Sequence, residues 1–217
     1  MITKRPPAYQ QLPEQAPRPQ RLHWLISPVA GIITALAFVP YDFAQLIWVA
    51  MLPLLYVLWT GPAKWWRAFR LGWLYGMGWY CVSFWWIHNV GYVFRIPLPV
   101  FLGIAFLPLM TVYSCLVGLW GGMANTLLRP VLAAGPDTTG MKPERKKQAW
   151  GDWTTADMLS TLRSAVGLGA MWVCVEWLRA NGTLGFSWNS MGMALYDGLS
   201  LVQWAEFVGT AALSFIP

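Results

Sequence analysis

Long apolar runs alternate with polar or Gly- and Pro-rich stretches along the whole chain. They occupy residues 24–38, 43–59, 71–87, 100–127, 165–178 and 199–215. A helix needs roughly 17 to 25 apolar residues to cross a hydrocarbon core of about 30 Å. Helices and closed barrels are the only structures that satisfy their backbone polar groups in lipid. The pattern therefore predicts an all-α polytopic membrane protein with about six transmembrane or re-entrant helices.

The positive charges are unevenly distributed between the loops of this predicted bundle. Thirteen of the fifteen Lys and Arg residues fall in segments on the same side as the N-terminus, and only Arg95 and Arg179 fall on the other. Loops that stay in the cytoplasm carry an excess of Lys and Arg. The sequence therefore predicts a cytoplasmic N-terminus, a cytoplasmic loop at residues 129–163 and an external segment at residues 180–198.

Composition excludes a typical soluble domain. The chain is 57% apolar and only 11% charged, with sixteen Trp residues, whereas soluble domains average about 25% charged residues. Many of the Trp residues stand at the ends of the apolar runs, which is typical of rings at the headgroup level. The net charge of +6 is explained by attraction of the cytoplasmic loops to anionic lipids, so we expect no nucleic-acid partner.

The chain divides into a polar tail and one membrane domain. Residues 1–22 are rich in Pro and Gln, which predicts a disordered cytoplasmic tail, and residues 23–217 form the transmembrane helical domain. The sequence GWLYGMG at 72–78 places small residues one turn apart and predicts close helix packing. Pro108 predicts a kink near Met110. A short amphipathic helix is expected just before the fifth run.

Candidate chemistry lies near the predicted outer end of the fifth run. Glu176 and Arg179 are three residues apart and share one helix face, and a charge in a membrane helix costs ~3 kcal/mol or more unless it is paired. Two interpretations stay open, an ion pair that anchors the helix or a fixed charge pair that lines a substrate cavity. The Gly-rich, aromatic residues 180–198 are typical of a re-entrant or interfacial stretch.

Three blocks of residues carry a family resemblance. They are ALAFVPYD at 35–42; GWLYGMG at 72–78 with WI at 86–87 and IPLP at 96–99; and EWLR at 176–179 with GFSW at 185–188 and Gly192. In this order and spacing they resemble the N-terminal membrane half of the apolipoprotein N-acyltransferase family. Ser187 stands where the family usually has Pro, which loosens that turn.

The resemblance implies an enzyme of the bacterial inner membrane, with several spans. Such enzymes move an acyl chain from a phospholipid donor to the N-terminal Cys amine of a diacylglyceryl lipoprotein. It also implies a nitrilase-like domain with a Glu–Lys–Cys catalytic set, whose Cys carries the acyl chain covalently. We expect that domain to be missing from this chain or separate from it, so the chain alone should be inactive.

The cysteines do not replace that catalytic set. Cys174-Val175-Glu176 resembles a nitrilase tripeptide, but it lies within a predicted helix, where hydrocarbon disfavours the thiolate. All three Cys residues lie inside apolar runs and are interpreted as small buried hydrophobes without metal-binding spacing. We therefore expect no catalytic residue, no metal and no cofactor in this chain.

Two functional hypotheses follow. In the first, the chain is the membrane module of an N-acyltransferase, and it shapes a lipid-side entrance near the outer surface. The candidate lining residues are Glu176, Arg179, Phe186, Trp188 and Trp86. In the second, the chain is a non-catalytic membrane scaffold or a small transporter. A transporter predicts internal repeats or charges near the midplane, and the sequence contains neither.

Overall fold

The computed structural model describes residues 20–60, 64–133, 155–182 and 185–215, and this part of the chain is helical without β-strands. In chain order the α-helices are α1 (Gln20–Ala35), α2 (Ile47–Ala50), α3 (Leu52–Thr60), α4 (Trp65–Ser83), α5 (His88–Val93), α6 (Leu98–Phe101), α7 (Leu107–Ala133), α8 (Thr155–Asn181), α9 (Leu199–Val202), α10 (Ala205–Val208) and α11 (Thr210–Leu213). Short 3₁₀ helices cover Ala44–Leu46, Trp85–Ile87 and Met191–Leu195. Most of the expected N-terminal tail lies outside the described residues, and α1 begins at Gln20.

Helix α4 lies at the centre of the bundle, between α1 and α7. A Cβ atom on Gly78 would lie 2.2 Å from the carbonyl oxygen of Pro28 in α1. On its other side, a Cβ on Gly72 would lie 2.6 Å from the carbonyl oxygen of Val117 in α7. Because these two glycines have no side chains, the helix backbones can touch, as they do where small residues line the interfaces between membrane helices. The close packing predicted from the glycine spacing is confirmed.

Polar side chains of α1 find partners within the bundle. The hydroxyl of Ser27 donates a hydrogen bond to the carbonyl oxygen of Leu71 in α4. The hydroxyls of Thr34 and Tyr75 lie 2.5 Å apart, and Thr34 also donates to the carbonyl oxygen of Ala30 at 2.9 Å. These contacts satisfy polar atoms away from water, which membrane interiors require, and they fix α1 on α4.

An aromatic cluster joins α8 to the central helices. Trp79 of α4 stacks on Trp172 of α8 with ring centroids 5.8 Å apart, and on Tyr80 at 5.0 Å. Trp120 of α7 meets Trp172 edge-on at 5.4 Å and donates through Nε1 to the carbonyl oxygen of Leu168 at 3.1 Å. Large rings in such contacts supply much of the packing energy of a core. The cluster therefore fixes the position of α8, including its polar C-terminal end, relative to α4 and α7.

A backbone irregularity lies just before Pro108. A π-helical segment, Leu102–Phe106, joins α6 to α7, and α7 then continues as a regular helix through Met110. Proline has no N–H, and its ring clashes with the carbonyl four residues earlier. Here that carbonyl belongs to Ile104, inside the π segment. The backbone therefore has its π-helical irregularity one turn before the proline, and the kink near Met110 stays a prediction.

Two helical stretches are long and apolar enough to cross a membrane among the described residues. They are Leu98–Leu127, with 30 residues, and Met158–Asn181, with 24 residues. The expected separate amphipathic helix before the fifth run is instead the first turns of α8. The last apolar run, residues 199–215, is divided into α9, α10 and α11, each of four residues. A single spanning helix there was therefore a wrong prediction.

Candidate functional site

An irregular segment, residues 185–195, follows α8 and packs back against its last turns. Its first residues form no helix, and its second half is the 3₁₀ helix Met191–Leu195. Asn189 has a left-handed backbone conformation, with φ of 53°, which Asn tolerates better than most residues. We call residues 185–195 the return segment. Because few of its backbone groups bond to one another, side chains of α8 must hold it in place.

Glu176 holds the second half of the return segment. Its side chain is 5% exposed, and its Oε1 accepts a hydrogen bond from the backbone N–H of Met191 at 2.7 Å. The same oxygen accepts from Nε1 of Trp172 at 3.1 Å, one helical turn earlier. Glu176 thus acts as a buried acceptor that joins α8 to the start of the 3₁₀ helix.

Arg179 holds the first half of the return segment. Its side chain is buried, and Nη1 donates to the carbonyl oxygen of Trp188 at 2.6 Å. Its own carbonyl oxygen accepts from the N–H of Phe186 at 2.9 Å. The guanidinium lies over the ring of Tyr80, 5.5 Å from the centroid, a cation–π contact. Arg179 therefore fastens the turn between Phe186 and Trp188 onto the bundle.

Glu176 and Arg179 do not form a direct ion pair. No Arg179 nitrogen lies within 4.0 Å of a Glu176 oxygen, although both side chains are described and buried. The two groups act on each other only through space. Each side chain turns instead to a backbone group of the return segment. The expectation of an ion pair, based on their three-residue spacing, was therefore wrong.

Aromatic residues of the return segment meet the end of α4. The rings of Trp188 and Trp86 lie 5.7 Å apart at 53°, and the two side chains are 49% and 41% exposed. Phe186 lies deeper, edge-on to Phe84 at 5.0 Å and stacked on Tyr113 at 6.1 Å. The structure thus brings all five predicted site residues to one end of the bundle. Two of them form an exposed aromatic pair, and two are buried anchors.

Further contacts of the return segment were not foreseen from the sequence. The N–H of Gly192 donates to the hydroxyl of Ser214 at 2.8 Å. The hydroxyl just beyond the segment, on Tyr196, donates to Oδ1 of Asp42 in the loop after α1. This bond and burial raise the pKa of Tyr196 to about 12. Asp42 belongs to the first of the three sequence blocks, which was the available signal for this contact.

The cysteines lie in different environments from those expected. Cys174 is exposed on the surface of α8, while Cys81 and Cys115 are half-buried. The prediction that all three are buried was therefore wrong for Cys174, although it does lie inside a helix. Within the described ranges, no group of three or more His, Cys, Asp or Glu residues is arranged to hold a metal ion.

Comparison with known proteins identifies the family that the chain resembles in sequence. The family model described as the apolipoprotein N-acyltransferase N-terminal domain matches residues 30–217. The apolipoprotein N-acyltransferase of Geobacter metallireducens is 27% identical over 196 residues, covering 90% of this chain and 32% of the relative. That of Thermotoga maritima is 27% identical over 196 residues, covering 88% of this chain and 33% of the relative.

A third relative matches the chain with similar identity and coverage. The apolipoprotein N-acyltransferase of Vibrio cholerae is 26% identical over 201 residues, covering 89% of this chain and 33% of the relative. The chain therefore spans about a third of the length of the curated relatives that it matches. Since the family model covers all but the first 29 residues, the chain belongs to the apolipoprotein N-acyltransferase family, as its N-terminal domain.

Proposed function

We propose that this chain is the membrane module of an apolipoprotein N-acyltransferase. Such an enzyme transfers an acyl chain from phospholipid to the N-terminal Cys amine of diacylglyceryl lipoproteins. The family match over residues 30–217 is the observation that carries the proposal. The covalent acyl chemistry is assigned to a nitrilase-like domain outside these 217 residues, on the same polypeptide or on a separate one.

The proposed module crosses the bacterial inner membrane several times, with its N-terminus in the cytoplasm. The distribution of Lys and Arg supports this orientation. Crossings by α1, the 44–60 stretch, α4, the 98–133 stretch and α8 then leave the return segment at the outer surface. The short helices after it lie there or re-enter the membrane.

Single Cys probes on a Cys-free background test this topology. An impermeant thiol reagent applied to intact cells should label Ser187→Cys, because Ser187 is exposed in the return segment. The same reagent should label Gly140→Cys only after the membrane is opened. Labelling of Gly140→Cys but not Ser187→Cys in intact cells would reverse the orientation.

The outer rim is the proposed lipid-side entrance. Trp86 and Trp188 form its exposed part, and Phe186 packs deeper against Phe84 and Tyr113. Glu176 and Arg179 hold the return segment, which carries Phe186 and Trp188. Exposed Trp rings favour the level of the lipid headgroups, where a phospholipid donor must approach. Glu176 and Arg179 are assigned a positioning role, because both buried side chains hydrogen-bond to backbone groups of the return segment instead of facing an open cavity.

Replacing one exposed ring tests the rim. In a longer protein that carries the nitrilase-like domain, Trp188→Ala should reduce transfer from phospholipid while membrane insertion stays normal. Trp66→Ala is the matched control, because Trp66 is an exposed ring at the other end of α4. Equal transfer rates for both variants would assign the rim to anchoring alone.

An acylation assay tests the function as a whole. A longer protein that joins this module to the nitrilase-like domain, in membranes, should add one acyl chain to a diacylglyceryl lipopeptide, detected as a mass increase. The 217-residue chain alone should add none, and Cys174→Ser in the longer product should leave the rate unchanged. Failure of the longer product to acylate the peptide would favour the scaffold or transporter hypothesis, and acylation by the short chain would place catalysis within it.

A further inference from the structure

The turn between α5 and α6 has an unusual residue at its most constrained position. The N–H of Ile96 bonds to the carbonyl oxygen of Gly91 at 2.9 Å, and the N–H of Arg95 to that of Tyr92 at 3.1 Å. These two bonds define a Schellman motif, in which the residue after the helix cap adopts a left-handed conformation and is usually Gly. Arg95 occupies that position with φ of 54°.

A long cationic side chain is costly at this position. A left-handed backbone disfavours residues with a Cβ, whereas Gly adopts it freely. Such an outlier is a reason to look for a function of the side chain. Arg95 is exposed, so no packing within the described part of the protein accounts for its presence.

A cleft of about 660 Å³ lies beside this turn. Arg95 and His88 line it together with apolar residues of α5 and the start of α6, and none of its lining residues is acidic. Gly91 and the buried ring of Phe101 lie in contact, so that α5 rests directly on α6. Nδ1–H of His88 donates to the carbonyl oxygen of Trp85 at 2.5 Å, which orients the ring and leaves Nε2 as its remaining polar atom.

The surroundings of the cleft point to lipid rather than to water. Tyr92, Val93 and Phe94 are 80%, 78% and 70% exposed, directly before Arg95. Three consecutive exposed apolar side chains next to an exposed cation match an interface with an apolar layer and anionic groups above it. Membrane surfaces have this arrangement, because phosphate groups lie directly over the acyl chains.

We propose that this cleft binds the phosphodiester headgroup of a membrane phospholipid, with the guanidinium of Arg95 on the phosphate oxygens. A guanidinium matches phosphate geometry with two parallel hydrogen bonds. His88 offers a second polar contact, and the apolar residues before Arg95 lie among the acyl chains. The inference rests on the proposed function, in which phospholipid is the acyl donor, and it names the residues that hold that donor near the rim.

Lipid retention by the purified 217-residue chain tests the proposal. The chain in detergent is titrated with phosphatidylethanolamine, and bound lipid is counted by native mass spectrometry. Diacylglycerol with the same acyl chains is the control ligand without phosphate. Arg95→Gly and Arg95→Asn both remove the charge and both accept the left-handed backbone. Arg95→Lys keeps the charge but not the bidentate geometry.

The expected results separate binding from folding. Arg95→Gly and Arg95→Asn should bind phosphatidylethanolamine about tenfold or more weakly than the unmodified chain, the loss expected for one charge-assisted contact. Arg95→Lys should bind it at an intermediate level, and diacylglycerol should bind all four chains equally weakly. Thermal unfolding of Arg95→Gly should occur at an equal or higher temperature, since the backbone constraint is relieved.

Other results would overturn the proposal. If Arg95→Gly is more stable yet retains phosphatidylethanolamine like the unmodified chain, Arg95 only caps the helix. If inorganic phosphate at equal concentration displaces the lipid, the cleft is a free-anion site. Normal acylation by a longer product carrying Arg95→Gly, with unchanged lipid retention, rejects this cleft but leaves the proposed function intact. Lipid retention without any acylation by the longer product rejects the proposed function but not the cleft.

Discussion

Removing the side-chain oxygens of Glu176 should release the return segment from α8. In Glu176→Ala, the N–H of Met191 and Nε1 of Trp172 both lose their acceptor in a buried place. A buried donor left without a partner costs about 1–3 kcal/mol, and of the two donors only the N–H of Met191 belongs to the segment that can open. Opening of the segment relieves this cost for Met191, because its N–H then reaches water or headgroups, whereas Nε1 of Trp172 stays within α8.

Hydrogen exchange followed by mass spectrometry in detergent measures that opening directly. At 1.4 kcal/mol per factor of ten, a relieved cost of about 1–3 kcal/mol predicts roughly 5- to 100-fold faster exchange in peptides that cover the return segment. Exchange in α4 should not change. Glu176→Gln keeps an acceptor oxygen and should accelerate exchange less than Glu176→Ala does. Glu206→Ala, which removes an exposed carboxylate in α10, is the matched control.

A double variant decides how Glu176 and Arg179 act. A direct ion pair predicts that Glu176→Ala is rescued by adding Arg179→Ala, because no unpaired buried charge remains. Separate anchors predict the opposite, since each side chain holds a different part of the return segment. The double variant should then exchange at least as fast as Glu176→Ala. Rescue in the double variant, or unchanged exchange in Glu176→Ala, would refute the anchoring mechanism.

Two further predictions concern the bundle and its outer loop. Gly78→Ala should lower the free energy of unfolding by about 3 kcal/mol or more, because its Cβ would meet a backbone carbonyl. Gly103→Ala, which has open space around it, should change the free energy of unfolding by less than about 1 kcal/mol. Thermal unfolding in detergent compares the two variants. Because the pKa of Tyr196 is raised to about 12, its bond to Asp42 should stabilise the fold fully below the ordinary tyrosine pKa of about 10 and be lost as the pH rises through about 12. Tyrosinate absorbance of the unmodified chain minus that of Tyr196→Phe should follow this titration, and Asp42→Asn should shift it to lower pH.

The sequence was sufficient to predict the parts of the fold that depend on local composition. The lengths of the apolar runs predicted the helical bundle, and the spacing of the glycines in α4 predicted its close contacts with α1 and α7. Both features depend on residue type and local spacing, which can be read from the sequence. It also placed Trp86, Trp188 and Phe186 at the same end as Glu176 and Arg179. Topology alone was enough for this, since alternating spans bring alternate loops to one surface.

The failures concern features that local composition does not determine, namely partners distant in sequence and the backbone conformation of single residues. A spacing of three residues placed Glu176 and Arg179 on one face, but it carried no information about the backbone groups of the return segment that compete for them. The last apolar run satisfied the length rule for a span, yet Gly209 has φ of 80° and interrupts it between α10 and α11. The sequence showed the glycine but not its backbone conformation.

The contact between Trp86 and Trp188 makes the position of the return segment optically observable. The indoles belong to different parts of the chain and are held 5.7 Å apart and tilted by 53°. Indoles this close couple and produce a paired positive and negative band in circular dichroism, which is isolated from that of the other close Trp pairs by subtracting the spectrum of Trp86→Phe. That couplet should disappear when the segment undocks and should be lost in Trp86→Phe. Ligands that move the rim could then be detected without any attached label.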